Sequence, residues 1–112
     1  MATLEQCMTA LEGFVGRLAA AEGARGLDRT VSCRITDLGQ LVHGRLANGS
    51  VHGMTAVADV PAAPKADIRL TMASDDLLAL TSGELSFTPA WASGRVKLEA
   101  GLRDMLRLRS LL

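Results

Sequence analysis

The side chains that could do chemistry are few, and their spacing assembles no catalytic set. The two histidines, His43 and His52, flank a predicted hairpin and could approach each other, but two imidazoles without a third protein ligand make a poor metal site. We interpret them as exposed strand residues. Asp75 and Asp76 are adjacent, and adjacent helical side chains point about 100° apart, so the two carboxylates do not converge on one proton. They fit better as partners of a helix dipole.

The cysteines also lack a reactive arrangement. Cys7 and Cys33 form no CxxC motif and no metal-ligand spacing, and each falls on an apolar stripe, where a small buried hydrophobic residue is expected. The sequence has no GxSxG motif, no P-loop and no GxGxxG before a helix. It has no tyrosine, which removes one common acid–base group. We therefore expect a protein that is not an enzyme and uses no metal and no cofactor.

Length and charge limit the partners. The 112 residues fit one domain, residues 1–112. The formal net charge is +0, so no global field attracts nucleic acid. The chain from Trp91 onward, however, contains five basic and two acidic residues, a net charge of +3. This patch is either a solvated helix face or a surface for transient contact with an anionic membrane.

The expected location is cytoplasmic. Glu5 comes early and no basic start precedes a long apolar run, so the sequence predicts no signal peptide. No apolar run approaches the ~20 residues that a membrane-spanning helix needs.

The first half predicts one helix and three strands. Thr3 and Gln6 form a capping box, and apolar residues then recur at steps of three and four to about Ala21, which predicts a helix with one buried face. Alternating residues at 31–36, 42–46 and 51–57 predict strands. Asn48 and Gly49 predict a hairpin turn, because both tolerate positive φ. The strands should form an antiparallel meander with one polar face.

The second half predicts a strand at 67–72, followed by helices. Ser74 is expected to cap the first helix, and Gly83 to end it. Thr88 and Pro89 are expected to open a second, short helix as its cap and first-turn residue, and Gly94 to end it. A last strand at 95–99 and a leucine-rich terminal helix then complete the chain.

From Lys65 onward the sequence KADIRLTMASDDLLALTSGELSFTPAWASGRVKLEAGLRDMLRLRSLL resembles the sterol carrier protein 2 family, the non-specific lipid-transfer domains. The residues that carry the resemblance are Ala66, Asp67, Thr71, Met72, Asp76 to Leu80, Gly83 to Leu85, Ala90 and Ser93 to Leu98. The first half matches in outline only. Ala100 stands where the family usually has glycine, Ser86 to Pro89 replace an Asn-Pro turn, and Ser110 to Leu112 differ from a peroxisomal address.

The resemblance implies an α+β fold, with a five-stranded, mostly antiparallel sheet and helices packed on one face. It also implies an apolar tunnel between helices and sheet that binds fatty acid, fatty acyl-CoA or sterol-like lipid, with transfer of that ligand as a further expectation. The residues expected to line the tunnel are Met72, Leu77, Leu80, Phe87, Trp91, Leu98, Leu102, Met105 and Leu106. The alternative is an interaction or dimerisation module in which the same residues fill a core and no ligand binds.

Overall fold

The computed structural model describes residues 2–20, 28–47, 49–59 and 65–111. The prediction that helices pack on one apolar face of the sheet is confirmed. The elements in chain order are α1 (Leu4–Ala20), β1 (Arg29–Ile35), β2 (Gln40–Ala47), β3 (Ser50–Ala58), β4 (Ile68–Met72), α2 (Ser74–Ser82), α3 (Phe87–Ser93), β5 (Lys97–Ala100) and α4 (Leu102–Leu111).

The five strands form one mixed sheet in the order β3-β2-β1-β4-β5. The predicted meander is confirmed: β1 pairs antiparallel with β2, and β2 with β3. The chain then crosses to the other side of β1, where β4 pairs parallel to it with Val31 opposite Ile68. β5 returns antiparallel to β4, with Leu98 opposite Leu70. The carboxyl ends of β1 and β4 therefore lie at one end of the sheet, and α4 begins at the other.

The core forms between the helices and one sheet face. Cys7, Leu11 and Val15 of α1 are each at most 1% exposed, which is the helical stripe that the sequence predicts. From the sheet, Val31, Cys33, Ile35, Val42, Leu46, Ile68, Leu70, Met72 and Leu98 join them. α1 packs against α2, β2 and β3. Because each strand alternates, the same register turns the residues between these positions to the opposite face.

The opposite face carries ion pairs. Arg34 lies 2.7 Å from Asp59 at their closest atoms, and Arg69 lies 3.6 Å from Glu99 on the neighbouring strand. Arg45 binds both carboxylate oxygens of Asp28, at 2.7 Å each. The predicted polar face of the sheet is thus confirmed for these described strands, and its charges are exposed enough that each pair contributes little to stability.

The helix ends match the sequence prediction in part. Thr3 and Gln6 form the predicted capping box, with N–H to side-chain oxygen distances of 2.9 and 3.1 Å. Gly83 and Gly94 end α2 and α3 in the left-handed conformation, at φ 87° and 84°. Within the described part of the chain, no helix is long and apolar enough to cross a membrane.

Two predicted caps are wrong. Ser74 is the first residue of α2 and Ala73 is its N-cap, without a side-chain cap. The Ser74 N–H instead donates to Asp37 in the β1–β2 turn. The N-cap of α3 is Ser86, so Thr88 and Pro89 lie inside its first turn. Local spacing suggested the caps, but Asp37 from another part of the chain binds the start of α2. The two-residue shift of the cap at α3 is within the usual uncertainty of helix ends.

Candidate functional site

The nine residues expected to line a tunnel differ in exposure. Five lie in the core at 9% exposure or less: Met72, Leu77, Leu80, Phe87 and Leu98. Trp91 and Met105 are half-buried and pack against that core. Leu102 and Leu106 are exposed. The structure therefore places seven of the nine in or against one apolar region, while the lining of a tunnel by these residues stays a prediction.

α2 and α3 position the apolar side chains between them through a tight connection. Gly83 turns the chain at positive φ, and the Leu85 N–H then donates to the Ala79 carbonyl at 3.0 Å. α3 follows, and the rings of Phe87 and Trp91 lie 5.9 Å apart between centroids at an angle of 46°. Such tilted aromatic pairs are favourable beyond the area they bury. Trp91 is thereby oriented by a buried neighbour while part of its own ring stays accessible.

α4 is fixed to the sheet at its first turn. The Met105 N–H donates to the Gly101 carbonyl at 2.8 Å, which closes the first turn of the helix, and the helix contacts β5. Nε of Arg29, at the start of β1, donates to Oδ2 of Asp104 at 2.9 Å, and the Asp104 side chain is 13% exposed. Asp104 and Met105 thus mark the inner side of α4, and Leu102 and Leu106, one turn apart, its outer side.

The buried thiols have no access to nucleophilic chemistry. Both cysteines are free, buried and fully inaccessible, at 0% exposure. Burial raises the pKa of the Cys33 thiol to about 12, and the neighbouring Cys7 adds to the effect. Burial, with the charges of Asp37 and Asp75, also raises the pKa of Cys7. Since the thiolate is the reactive form, both side chains act as apolar core residues.

The histidines do not meet. His43 lies opposite Thr55, and its Nε2 is 3.2 Å from the Thr55 hydroxyl. His52 lies opposite Arg45, and its Nε2 is 3.0 Å from the Ser50 hydroxyl. A register shift lies between the pairs that His43 and Arg45 form, so the two imidazoles have different partners across the strands. Among the described residues, no group of three or more His, Cys, Asp or Glu side chains could hold a metal ion.

One groove was not anticipated from the sequence. It lies between the start of α1 and the middle of α2 and has a volume of about 440 Å³. It is lined by Thr3, Glu5, Gln6, Thr9, Ala10 and Leu78. No pattern in the sequence signals it, because it arises from the packing of two helices that are far apart in the chain. Its walls carry no reactive group beyond the Glu5 carboxylate, and it shares no residue with the predicted lining.

The fold is that of sterol carrier protein 2. The solution structure of palmitated SCP2L2 from Aedes aegypti is 20% identical and superposes with a TM-score of 0.64, covering 98% of this chain and 94% of the other. A crystal structure of sterol carrier protein 2 is 17% identical, with a TM-score of 0.63 and coverage of 95% and 90%. The five-stranded α+β architecture predicted from the resemblance is confirmed.

Sequence similarity defines the family more narrowly. The alkyl sulfatase C-terminal family model matches residues 17–112, so the chain belongs to that family. The stereoselective inverting sec-alkylsulfatase Pisa1 from Pseudomonas sp. is 26% identical, with a TM-score of 0.57. That match covers 81% of this chain and spans 14% of the length of Pisa1. No curated protein matches the sequence.

Proposed function

We propose that the protein binds the alkyl chain of a lipid or of another anionic amphiphile without catalysing a reaction on it, and that it can carry this ligand between surfaces. The observation that carries the proposal is the partial burial of Trp91 and Met105. Both side chains pack against the core between α3, β5 and α4, yet both keep accessible apolar surface. An alkyl chain laid against them would extend the core outward.

The energetics favour such a ligand. Each methylene exposed to water costs about 0.8 kcal/mol, so a long acyl chain costs on the order of 10 kcal/mol to expose. An apolar site removes this cost without any reactive group. Methionine and leucine side chains also adapt to chains of different shape. The likeness to the palmitated protein and to a sec-alkylsulfatase supports an alkyl chain as the shared feature of the ligand.

The proposed lining is the set expected from the sequence. Leu80, Phe87 and Leu98 would form its inner wall, and Trp91 and Met105 its opening. Leu102 and Leu106 lie on the outer side of α4, so they would touch a ligand only where it enters beside the helix.

Fluorescence titration tests the proposal. cis-Parinaric acid, a fluorescent fatty acid, should bind with a saturable signal, and palmitate and dodecyl sulfate should each displace it. Trp91 is the single tryptophan, so its emission should change in the same titration. Met105→Gln places a polar amide where the chain would lie and should weaken binding about tenfold. Leu78→Gln, at a half-buried leucine beside the α1–α2 groove, is the control and should bind as the unaltered protein does.

Failure of the folded protein to bind any of these three probes saturably would overturn the proposal. Equal loss of binding in both variants would do the same, because it would show that Met105 has no special place in the site.

The second candidate is an interaction or dimerisation module with a filled core. The observation that favours it is that the chain corresponds to 14% of a much longer alkylsulfatase, where such a unit could serve contacts with the remainder. Light scattering coupled to size-exclusion chromatography distinguishes this candidate from the ligand-binding protein. A dimer that persists on dilution, together with no binding of cis-parinaric acid, would favour this candidate.

A further inference from the structure

The outer side of α4 carries an apolar surface that the fold does not use. Leu102 is 78% exposed and Leu106 is 60% exposed, and they are the exposed large hydrophobic residues of the described chain. Positions four residues apart lie on one helix face, so the two side chains form a continuous leucine strip. An isolated exposed leucine needs no explanation. Two exposed leucines on the same face of one helix do need an explanation, because the other side of that helix already packs on the sheet.

The charge beside the leucine strip is positive. Arg103 is exposed and has no carboxylate partner within the described ranges. The acidic residue next to it, Asp104, is already paired with Arg29 at 2.9 Å, on the inner side of the helix. The remaining sequence of α4 adds two more arginines, Arg107 and Arg109, and no acid. In the part of α4 whose side chains the structure describes, the surface is therefore apolar at Leu102 and Leu106 and cationic at Arg103 beside them.

We propose that α4 docks on an anionic lipid surface, with the leucine strip entering the interface and the basic residues contacting the lipid headgroups. A short amphipathic helix that combines exposed leucines with arginines, and is not apolar enough to span a bilayer, is typical of helices that lie in the membrane interface. Each basic residue near an anionic leaflet adds to the attraction. The charge beside the strip favours this partner over a neutral apolar protein surface, which would leave the guanidinium groups without counter-charges.

The docking surface shares only Leu102 and Leu106 with the proposed lining, and these two would touch a ligand only where it enters beside α4. The ligand would lie on the inner side of α4, against Met105, whereas docking uses the outer side. A protein that binds no alkyl ligand would still dock, and a protein that fails to dock would still bind cis-parinaric acid from solution. The two proposals therefore fail independently.

Vesicle co-sedimentation tests the docking. The full chain is mixed with vesicles of phosphatidylcholine alone, or of phosphatidylcholine with 30% phosphatidylserine, at about 0.1 M and 0.5 M NaCl. The anionic vesicles should bind at least about tenfold more tightly at the lower salt, and the difference should shrink at the higher salt because the charges are screened. The double variant Leu102→Gln with Leu106→Gln should lose about tenfold or more in affinity, and Arg103→Gln about fivefold.

Controls keep the test specific. Leu38→Gln alters a half-buried leucine in the β1–β2 turn, at the opposite end of the sheet from the start of α4, and Arg17→Gln alters an exposed arginine of α1. Both should dock as the unaltered protein does. The double variant should unfold at an unchanged temperature, because its two leucines are already exposed.

Three outcomes would overturn the docking proposal. The unaltered protein would fail to sediment with anionic vesicles, or the double variant would sediment equally well. The third is a dimer in solution that the double variant dissociates while vesicles stay unbound, which would assign the leucine strip to a second copy of the chain.

Discussion

The carboxylate of Asp37 accepts two hydrogen bonds from Ser74, although the residues are 37 positions apart in the chain. The Ser74 N–H lies 2.8 Å from Oδ1 and the Ser74 hydroxyl 2.5 Å from Oδ2. Ser74 is fully buried. The β1–β2 turn thus supplies the cap that α2 lacks in its own sequence, and it fixes the start of α2 to the end of β1.

Asp37→Asn should lower the free energy of unfolding by about 1 kcal/mol, the usual cost of a weakened helix cap. The amide retains one acceptor, but it cannot accept both hydrogen bonds from Ser74 or offer a negative charge to the helix dipole. Urea unfolding at neutral pH measures the difference. Glu12→Gln, an exposed carboxylate of α1, is the matched control and should change little. Equal stability of Asp37→Asn and the unaltered protein would show that the contact is not a cap.

The contribution of Asp37 should depend on pH. The two hydrogen bonds from Ser74, side chain and backbone, hold the pKa of the Asp37 carboxyl below its usual value. A carboxyl whose pKa is lowered by folding stabilises the protein fully above the unfolded value, and this stabilisation disappears as the pH falls through the lower folded value. The unaltered protein and Asp37→Asn should therefore differ most at neutral pH and converge in acid, below about pH 4. A gap that widens in acid would contradict the assignment.

Gly44→Ala should destabilise the sheet by about 1–3 kcal/mol, because added volume in a filled space strains its neighbours. A Cβ at Gly44 would lie 3.1 Å from the His52 carbonyl oxygen and 3.3 Å from the Met54 sulfur. Gly16→Ala is the opposite case, since a Cβ there meets nothing within 4 Å and the position is helical. It should stabilise by about 0.5–1 kcal/mol. Thermal unfolding of both variants checks the pair, and a stabilising Gly44→Ala would contradict the observed packing.

The native thiols should be unreactive. Burial raises the pKa of both the Cys7 and the Cys33 thiol, which disfavours the thiolate, and both side chains are inaccessible. Ellman's reagent should therefore label no thiol in the folded protein within minutes and two in urea. Thr9→Cys, at an exposed position on α1, should react at once and shows that the reagent is active. Rapid labelling of the folded unaltered protein would mean that α1 separates readily from the sheet.

Periodicity predicted the elements well, since it depends on burial alone. The stripe from Cys7 to Val15 predicts which face of α1 is buried, and the alternation around Leu70 predicts which face of β4 is buried. Both predicted faces are buried in the structure. Local spacing could not reveal that β4 pairs with β1, because the pairing depends on a crossover between distant segments. Local spacing also cannot identify Asp37 as the cap of α2, so the sequence predicts Ser74 in that role.

The candidate site was less predictable than the fold. Periodicity grouped Leu102 and Leu106 with Met105, because all three are apolar and lie in one helix. The side that faces the sheet is set by the Arg29–Asp104 pair, and no pattern within α4 encodes a partner that precedes it by 75 positions. For a similar reason, the sequence does not decide whether His43 and His52 lie close together. The hairpin turn fixes the register near Ala47, but the shift further along the strands is a local irregularity.

That irregularity lies at the margin of the sheet, where β3 has a neighbour on one side only. Gly53 adopts a φ of 62°, so the strand bends just where a straight one would offer an unbroken row of amides and carbonyls to a foreign chain. Bends of this kind discourage strand-to-strand aggregation. A protein that exposes two leucines on α4 thereby avoids a second surface for unwanted association along its β3 edge.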